Sequence, residues 1–296
     1  MKFGRFKRDE DEFVGVLSED AVYPLRKLVG ARYPIHDDLE SFIALGPEAV
    51  RMAADSLLRK DMKAVSVPLD SLTVLAPMQP RKNIFCVGRN YIEHVKEGDR
   101  ASGRNVGAPL RPIFFTKPRT TVIGPGDKIL YHTCTQKLDY ECEVAVVIGT
   151  RCTNVKAEDA VQYIFGYTIV NDVTARDLQD GHSQWFKGKS LDSFCPMGPF
   201  VATRDELGWP LNTALRLWVN GELRQSMSTR DMIFDVPKVI EELSSGLTLE
   251  PGDVIATGTG PGCGFGFDPP KFLSVGDEVK LQVDGIGTLT NTVAQG

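Results

Sequence analysis

Residues 139–149 read Asp-Tyr-Glu-Cys-Glu-Val-Ala-Val-Val-Ile-Gly, so an apolar run directly follows a group of acids. The run Val144–Ile148 is short and rich in β-branched residues, which predicts a buried strand. On a strand, Asp139, Glu141 and Glu143 would point to one face. Carboxylates held that close repel one another, and burying one without a partner is strongly unfavourable. A hard divalent cation such as Mg²⁺ or Mn²⁺ would neutralise them, the alternative being an edge strand with a solvated acidic end.

The composition is that of a globular protein with a sizeable core. The chain has 296 residues, of which 42% are hydrophobic and 25% charged, and its net charge is −5. This charge disfavours nucleic acid or an anionic membrane as the main partner. Residues 1–10 lack the apolar core of a secretory signal, and no apolar run approaches the ~20 residues of a membrane span. We therefore expect a cytoplasmic protein with a small-molecule substrate.

The cysteines and histidines do not form a recognisable metal or disulfide pattern. None of the six cysteines belongs to a Cys-x-x-Cys pair, so we expect free thiols in a reducing cytoplasm. The histidines at 36, 94, 132 and 182 are not paired at ligand spacing, and we expect no zinc site.

We divide the chain into a small N-terminal domain, residues 1–78, and a catalytic domain, residues 79–296. A proline-marked connector over 75–82 separates them. In the first part we predict short strands at 14–17 and 23–28. A helix over Pro47–Lys60 should bury Val50, Ala53, Ala54, Leu57 and Leu58. This part has no cluster that suggests chemistry, and we assign it to packing or oligomer formation.

Past residue 82 the turns are those of a β-rich domain. Gly-Asp turns precede apolar strands at 126, 252 and 276. We predict helices over 157–164, from Asn171 or Asp172 onward, and over Asp235–Ser245, the last capped by Asp235. Strands outnumber helices without regular alternation, so the predicted class is α+β, β-dominated, with a largely antiparallel or mixed sheet.

The glycine-rich stretch Gly258–Gly266 is not a nucleotide loop. Its spacing is not G-x-G-x-x-G, no Lys-Ser/Thr follows, and Asp268-Pro-Pro takes the place of a helix. A backbone loop that approaches a ligand closely fits better.

Residues 169–179 run from a strand into a helix start. Asp172 would sit at the positively polarised helix end, a natural place for a ligand-binding carboxylate. Arg176 and Gln179 would share a helical face with it. The alternative is a helix cap with an ordinary surface arginine.

Residues 84–97 predict a strand, a turn and a short helix with His94 and Glu97 three residues apart. At that spacing the carboxylate could orient the imidazole and raise its basicity, as expected of a general base acting on water. The alternative is an ordinary surface pair.

Six motifs in one order closely resemble the fumarylacetoacetate hydrolase superfamily over roughly residues 80–295. They are Gly88-Arg-Asn-Tyr91 with His94 and Glu97, Phe115-Thr-Lys-Pro118, Asp139-Tyr-Glu-Cys-Glu143, Asn171-Asp-Val-Thr-Ala-Arg-Asp-Leu-Gln179, Lys187-Gly-Lys-Ser190 and Gly252-Asp-Val-Ile-Ala-Thr-Gly-Thr259. The resemblance implies a mixed β-roll, usually paired as a homodimer. The residues before this region match the family only in that longer bacterial members also carry a small N-terminal domain.

The resemblance also implies roles for individual residues. Glu141, Glu143 and Asp172 would hold Mg²⁺ or Mn²⁺, with Lys189 beside the metal. His94 and Glu97 would form a catalytic dyad on a mobile lid segment. The residues implied to shape the site or contact substrate are Arg89, Tyr91, Arg176, Gln179 and Thr259.

The activity implied is cleavage of a carbon–carbon bond in a small 2-oxo or 1,3-diketo acid, as in acylpyruvate or fumarylpyruvate hydrolases. A 2-oxo acid can chelate a divalent cation, which stabilises the enolate formed on bond breaking. The alternatives are a 2-oxo acid decarboxylase of the oxaloacetate type, an isomerase or hydratase of aromatic-degradation dienoates, and a non-catalytic metabolite binder. The additional metal-binding Asp of animal-type members has no match here, which disfavours fumarylacetoacetate as substrate.

Overall fold

The computed structural model describes residues 1–30, 32–33, 38–103 and 105–296, so His36 lies outside the described residues. Nineteen strands are found there. They are β1 (Lys2–Arg8), β2 (Asp11–Ser18), β3 (Ala21–Pro24), β4 (Val67–Pro68), β5 (Thr73–Leu75), β6 (Ile84–Gly88), β7 (Ile113–Lys117), β8 (Val122–Ile123), β9 (Lys128–Tyr131), β10 (Leu138–Asp139), β11 (Cys142–Ile148), β12 (Ile164–Asn171), β13 (Thr174–Ala175), β14 (Cys195–Thr203), β15 (Ala214–Val219), β16 (Glu222–Ser228), β17 (Val254–Ala256), β18 (Glu278–Val283) and β19 (Gly287–Gln295).

The α-helices of the described residues are fewer and mostly short. They are α1 (Leu25–Val29), α2 (Leu39–Ala44), α3 (Pro47–Leu57), α4 (Ile92–Ser102), α5 (Arg176–Gly181), α6 (Phe186–Lys189), α7 (Arg204–Leu207) and α8 (Val236–Ser244). Strands dominate, and the predicted β-dominated α+β class is confirmed. None of these helices combines the length and apolar character needed to cross a membrane.

The apolar run at 144–148 lies in β11, at the centre of the main sheet. The hydrogen-bonded path of that sheet is β4-β3-β2-β1-β14-β12-β11-β17-β6-β7, with β5 on β1 and β8 on β14. All residues of β11 are buried, as the uninterrupted apolar pattern predicts for a strand covered on both faces. A second sheet has the order β16-β15-β18-β19-β9. Both sheets mix parallel and antiparallel pairs.

The leading segment extends the main sheet. Strand β1 pairs antiparallel with β14, placing Phe3 opposite Val201. The Phe3 ring is fully buried and lies 5.4 Å from the ring of Phe42 and 5.3 Å from that of Phe165. Residues from both sides of the predicted boundary therefore share one hydrophobic cluster. The division into 1–78 and 79–296 remains a prediction.

Two predicted elements of the leading segment need correction. The strand predicted over 23–28 ends at Pro24, where α1 begins. Leu25, Leu28 and Val29 are buried there at helical spacing, which favours a helix over a strand. Helix α3 ends three residues earlier than predicted, and Leu58, expected on its buried face, is exposed.

The helix predicted from Asn171 or Asp172 is also wrong. Residues Thr174 and Ala175 pair with Asp139 and Leu138 in a two-stranded ladder, so helix α5 begins only at Arg176. Asp172 therefore caps no helix and gains nothing from a helix terminus. In contrast, α8 is confirmed with its Asp235 cap, whose side chain accepts a hydrogen bond from the Lys238 amide. The helix predicted over 157–164 is a 3₁₀ helix, Ala157–Tyr163.

We expect Phe3→Ala to lower the free energy of unfolding by ~3–5 kcal/mol, the usual effect of emptying a buried phenylalanine site. Phe3 packs against residues on both sides of the predicted domain boundary, so the substitution should destabilise the whole chain in a single cooperative unfolding transition. Urea denaturation followed by circular dichroism measures this transition. Leu58→Ala is the control, since Leu58 is 85% exposed and should change stability by less than about 0.5 kcal/mol. Equal effects of the two substitutions would contradict the packing described.

Candidate metal centre and its cavity

Three carboxylates meet where β11 begins and β12 ends. Glu143 lies in β11 and Glu141 directly before it, while Asp172 follows β12. The antiparallel register places Cys142 opposite Asn171, and the Asp172 amide donates to the Glu141 carbonyl at 2.9 Å. One carboxylate oxygen from each of Glu141, Glu143 and Asp172 then lies within 4.8 Å of the other two, and all three residues are buried.

Asp139, expected on the same strand face, is not part of this group. The ladder is interrupted at residues 140–141, between β10 and β11, so the alternation of side chains does not continue from Glu141 to Asp139. The Asp139 carboxylate instead pairs with Arg176 Nε at 2.8 Å. It also accepts hydrogen bonds from the amides of Gly264 and Phe265 at 2.7 and 3.1 Å.

Two buried lysines face the carboxylates. Lys189 Nζ lies 2.8 Å from Glu141 Oε2 and 2.7 Å from Asp172 Oδ2. Lys117 Nζ lies 2.6 Å from Asp172 Oδ1, and both of these side chains are fully buried. The sequence analysis did not assign a function to Lys117, although this residue belongs to the motif Phe115-Thr-Lys-Pro118. The available signal was a lysine at the end of a largely apolar strand.

The charges on the triad are unevenly balanced. Burial opposes ionisation of Glu141, but Lys189 and Arg176 outweigh it and lower the pKa of Glu141 to about 2. Burial, with the charges of Asp172 and Glu141, raises the pKa of Glu143 well above its ordinary value. Glu143 makes no ion pair with any described residue. The three buried carboxylates form an oxygen donor set that suits Mg²⁺ or Mn²⁺.

The glycine-rich loop approaches the triad through its backbone. The Gly258 amide donates to Glu143 Oε2 at 2.8 Å. Gly258 has φ +94°, and a Cβ there would lie 2.8 Å from the Asn90 side chain and 2.9 Å from the Val87 carbonyl. Only glycine fits this position, which agrees with the predicted close backbone approach.

Thr259 is held in place by a glutamine that the sequence did not identify. The Thr259 hydroxyl donates to the Cys142 carbonyl at 2.8 Å and accepts from Gln225 Nε2 at 3.0 Å. The Gln225 carbonyl oxygen in turn accepts from the Cys142 amide at 2.9 Å. Gln225 is buried in the middle of β16, where a polar residue is itself a signal of a structural or site role.

The predicted dyad forms on α4. His94 Nδ1 lies 3.4 Å from Glu97 Oε2, and both side chains are about nine-tenths buried. Glu97 Oε1 accepts a hydrogen bond from the Gly262 amide at 3.0 Å, which fixes the carboxylate on the glycine-rich loop. Because Nδ1 faces Glu97, the other ring nitrogen, Nε2, is available for substrate.

A cavity of about 400 Å³ joins the triad to the dyad. The predicted site residues that line it are Arg89, His94, Glu141, Glu143, Arg176, Gln179, Lys189 and Thr259. Glu97 and Asp172 lie behind their partners His94 and Lys189. Aromatic walls missed by sequence reasoning are Phe115, Trp185, Phe265 and Phe272.

Tyr91, predicted to bind substrate, does not line the cavity. It precedes α4 and its ring is directed into the hydrophobic core, with 1% exposed. The structure therefore gives no support for direct substrate contact. Arg89 does reach the cavity, and its guanidinium is oriented by Asp99 Oδ1 at 3.0 Å and the Gly107 carbonyl at 3.2 Å.

Arg176 links the cavity to its support. Besides Asp139, its guanidinium contacts Glu141 Oε1 at 2.7 Å and donates to Gln179 Oε1 at 3.1 Å. The guanidinium carbon lies 4.4 Å from the centre of the Phe265 ring. Arg176 and Gln179 thus meet at the site as predicted, although Asp172 is not on their helix.

Comparisons with known proteins show which family and fold the chain resembles. The family model described as "Fumarylacetoacetate (FAA) hydrolase C-terminal" matches residues 83–294. The chain is 41% identical to the oxaloacetate tautomerase YisK of Bacillus subtilis, over 99% of this chain and all of that protein. A fumarylacetoacetate hydrolase structure from Exiguobacterium antarcticum is 42% identical, covers both chains fully and has a TM-score of 0.84. A maleylpyruvate hydrolase from Sphingobium sp. SYK-6, with manganese(II) and pyruvate, is 29% identical over both full chains, with a TM-score of 0.79.

We expect Glu143→Gln to leave the metal-free protein at least as stable at pH 7 while abolishing its stabilisation by Mn²⁺. The raised pKa means that folding favours the protonated carboxyl of Glu143. Above the unfolded pKa this group ionises more readily in the unfolded chain, so it lowers the free energy of unfolding. A neutral amide removes that penalty and one metal ligand together. Thermal unfolding with and without Mn²⁺ measures both effects, because bound metal raises the midpoint.

The matched control is Glu10→Gln, since the Glu10 side chain is 98% exposed. It should keep the full Mn²⁺-dependent rise of the midpoint. If Glu143→Gln keeps that rise as well, Glu143 is not a metal ligand.

Proposed function

The chain belongs to the fumarylacetoacetate hydrolase family of enzymes, and we propose on that premise that it is a divalent-metal-dependent tautomerase of oxaloacetate. The observation that carries the proposal is one cavity lined by Glu141 and Glu143 of the buried carboxylate triad and by His94 of the histidine–glutamate dyad. The triad would bind the metal, and the dyad would transfer the proton. The similarity to an oxaloacetate tautomerase over essentially the full length of both chains supports this reaction over others.

The metal would be Mg²⁺ or Mn²⁺, held by Glu141, Glu143 and Asp172. Bound there, it would supply Lewis-acid stabilisation of the negative charge that develops on the C2 oxygen of a 2-oxo acid.

The cavity suits a small dianion. Four basic side chains line it or its metal-facing wall, namely Arg89, Lys137, Arg176 and Lys189. Oxaloacetate carries two carboxylates, so one can lie at the metal centre and the other at a basic group on the opposite wall. Arg89 is suited to the second role because its guanidinium is already oriented by Asp99.

The dyad would move the proton between carbon and oxygen. Keto–enol conversion removes one proton from C3, places the C–H electron pair in a C2–C3 double bond, and adds one proton to the C2 oxygen. His94 would accept the C3 proton, with Glu97 stabilising the imidazolium through Nδ1. Lys189 would place a second positive group beside the C2 oxygen, since burial opposes its protonation but Asp172 and Glu141 raise its pKa.

A second candidate is hydrolysis of an acylpyruvate, in which the same dyad activates water. The maleylpyruvate hydrolase structure with manganese(II) and pyruvate favours it, because that protein has the same fold. The two functions differ in products: tautomerisation keeps every carbon of oxaloacetate, whereas hydrolysis releases pyruvate from an acylpyruvate.

One experiment separates these functions. Enol oxaloacetate is mixed with the Mn²⁺-loaded protein, loss of enol absorbance is followed, and pyruvate is assayed in parallel. Faster loss of enol with no pyruvate above the metal-only rate supports the tautomerase. Faster pyruvate formation would identify a decarboxylase, and cleavage of acylpyruvate without effect on enol would favour the hydrolase.

We expect His94→Ala to lower kcat for tautomerisation roughly 100-fold, the usual scale for losing a general acid–base. Metal affinity should not change, because the dyad is distinct from the carboxylate triad. His182→Ala is the control, since His182 is exposed and does not line the cavity. An unchanged kcat in His94→Ala would remove the dyad from the reaction.

We expect Lys189→Met to reduce kcat by ~10²–10³, the scale of losing one donor to a developing oxyanion. Mn²⁺ should bind at least as tightly, because the substitution removes a cation that competes for Glu141 and Asp172. Lys187→Met, on the same short helix but exposed, is the control. Parallel loss of metal binding and kcat would instead show that Lys189 only positions the ligands.

A further inference from the structure

A buried thiol lies beside the dyad, and the proposed reaction does not use it. Cys263 Sγ is 3.8 Å from His94 Nδ1, the same nitrogen that is 3.4 Å from Glu97 Oε2. One ligand atom from each of these residues lies within 4.8 Å of the other two. We propose that His94, Glu97 and Cys263 form a second metal site, selective for a thiophilic divalent cation such as Zn²⁺, which switches the enzyme off.

The spacing of the three ligand atoms fits tetrahedral coordination. Zinc bonds of about 2.0–2.1 Å to nitrogen and oxygen and about 2.3 Å to sulfur give ligand–ligand separations of roughly 3.3–3.6 Å around a tetrahedron. The observed 3.4 Å from nitrogen to oxygen matches this edge, and the 3.8 Å from nitrogen to sulfur exceeds it by a few tenths of an ångström. The remaining pair, a Glu97 carboxylate oxygen and Cys263 Sγ, lies within 4.8 Å, and water or substrate would complete the fourth position of the proposed site.

The fold holds these ligands rigidly. The Gly262 amide binds Glu97 Oε1 and leaves Oε2 directed at the histidine. A Cβ at Gly266 would lie 2.1 Å from Glu97 Oε1, so the glycine-rich loop packs directly on the carboxylate. On the far side, Gln225 Nε2 lies 3.6 Å from Cys263 Sγ, and Cys263 is fully buried. Ligands that are already immobilised bind a cation without further loss of side-chain entropy.

The two proposed metal sites would select different ions. The triad of Glu141, Glu143 and Asp172 offers oxygen only, which suits hard Mg²⁺ or Mn²⁺. The second set combines imidazole, thiol and carboxylate, and such nitrogen–sulfur sites prefer zinc. The sequence does not indicate the second set of ligands, because Cys263 is 169 positions from His94 and therefore outside any local spacing of metal ligands.

Zinc in the second site would disable the dyad that the proposed function requires. The ion would take the Nδ1 lone pair of His94 and the Oε2 atom of Glu97, and the ring proton would move from Nδ1 to Nε2. The imidazole could then no longer accept a substrate proton at Nε2, and the carboxylate could no longer stabilise an imidazolium. Zinc coordinates the thiolate form of cysteine, so binding would release the Cys263 thiol proton to solvent. The inferred effect is reversible inhibition by zinc.

The test uses Co²⁺ as a spectroscopic substitute for zinc in the full-length protein whose triad has been loaded with Mn²⁺. Cobalt bound to thiolate gives an intense charge-transfer absorption in the near ultraviolet, which cobalt bound only to oxygen does not. We expect this band to saturate at one equivalent and to disappear on adding Zn²⁺. Cys263→Ser should lose the band, whereas Cys134→Ser, at an exposed cysteine, should keep it.

Inhibition provides a second readout. Zinc should inhibit wild-type turnover at concentrations at least about tenfold lower than it inhibits Cys263→Ser, since even partners of metal ligands are worth ~10–100-fold in affinity. Circular dichroism checks that the variant is folded; if it is not, His94→Ala should weaken the cobalt band in its place. No cobalt band in the wild type, or an undiminished band in Cys263→Ser, overturns the second site. Neither result depends on which reaction the Mn²⁺-loaded enzyme catalyses.

Discussion

Neutralising three buried carboxylates at one end of β11 is the constraint on which the rest of the site depends. Glu141, Glu143 and Asp172 lie too close together to be ionised at the same time without compensating charge. Lys189 and Lys117 supply part of that charge, and both approach from the Asp172 side of the group. The imbalance left at Glu143 would couple stability to metal binding, because a cation that neutralised it would stabilise the folded state directly.

One glycine-rich loop connects the carboxylate triad to the His94–Glu97 dyad. The amides of Gly258, Gly262 and Gly264 bind the carboxylates of Glu143, Glu97 and Asp139 respectively. Each acid belongs to a different element, so the loop fixes the relative positions of β11, α4 and β10. Side chains larger than hydrogen would separate these backbones, which explains the density of glycine without any nucleotide-binding role.

The carboxylate triad is supported by the central strands of the main sheet. Strand β11 is buried on both faces and hydrogen-bonded along both edges, and the leading segment lengthens the same sheet through β1 and β14. Helix α4, which carries the dyad, is attached to the fold through buried Val95 and through the contacts of Glu97 and Arg100 with the glycine-rich loop. The sheet therefore positions the carboxylate triad, whereas the glycine-rich loop positions the dyad.

The sequence by itself determined the elements whose signals are local. The apolar run predicts β11, the Asp235 cap and periodic apolar residues predict α8, and three-residue spacing places His94 over Glu97. The motif resemblance also named the three acids that the structure brings together.

Only the tertiary structure decided the partners of these groups. The break after Asp139 sends that acid to Arg176, 37 positions away, and the ladder β10–β13 keeps Asp172 off any helix. Lys117 reaches Asp172 across 55 positions and Cys263 reaches His94 across 169. Sequence periodicity reports neighbours within a few residues, whereas the charges that balance a buried carboxylate come from whichever strands and loops the folded sheet places beside it. That is why the three acids could be predicted from the chain to lie together and their compensating groups could not.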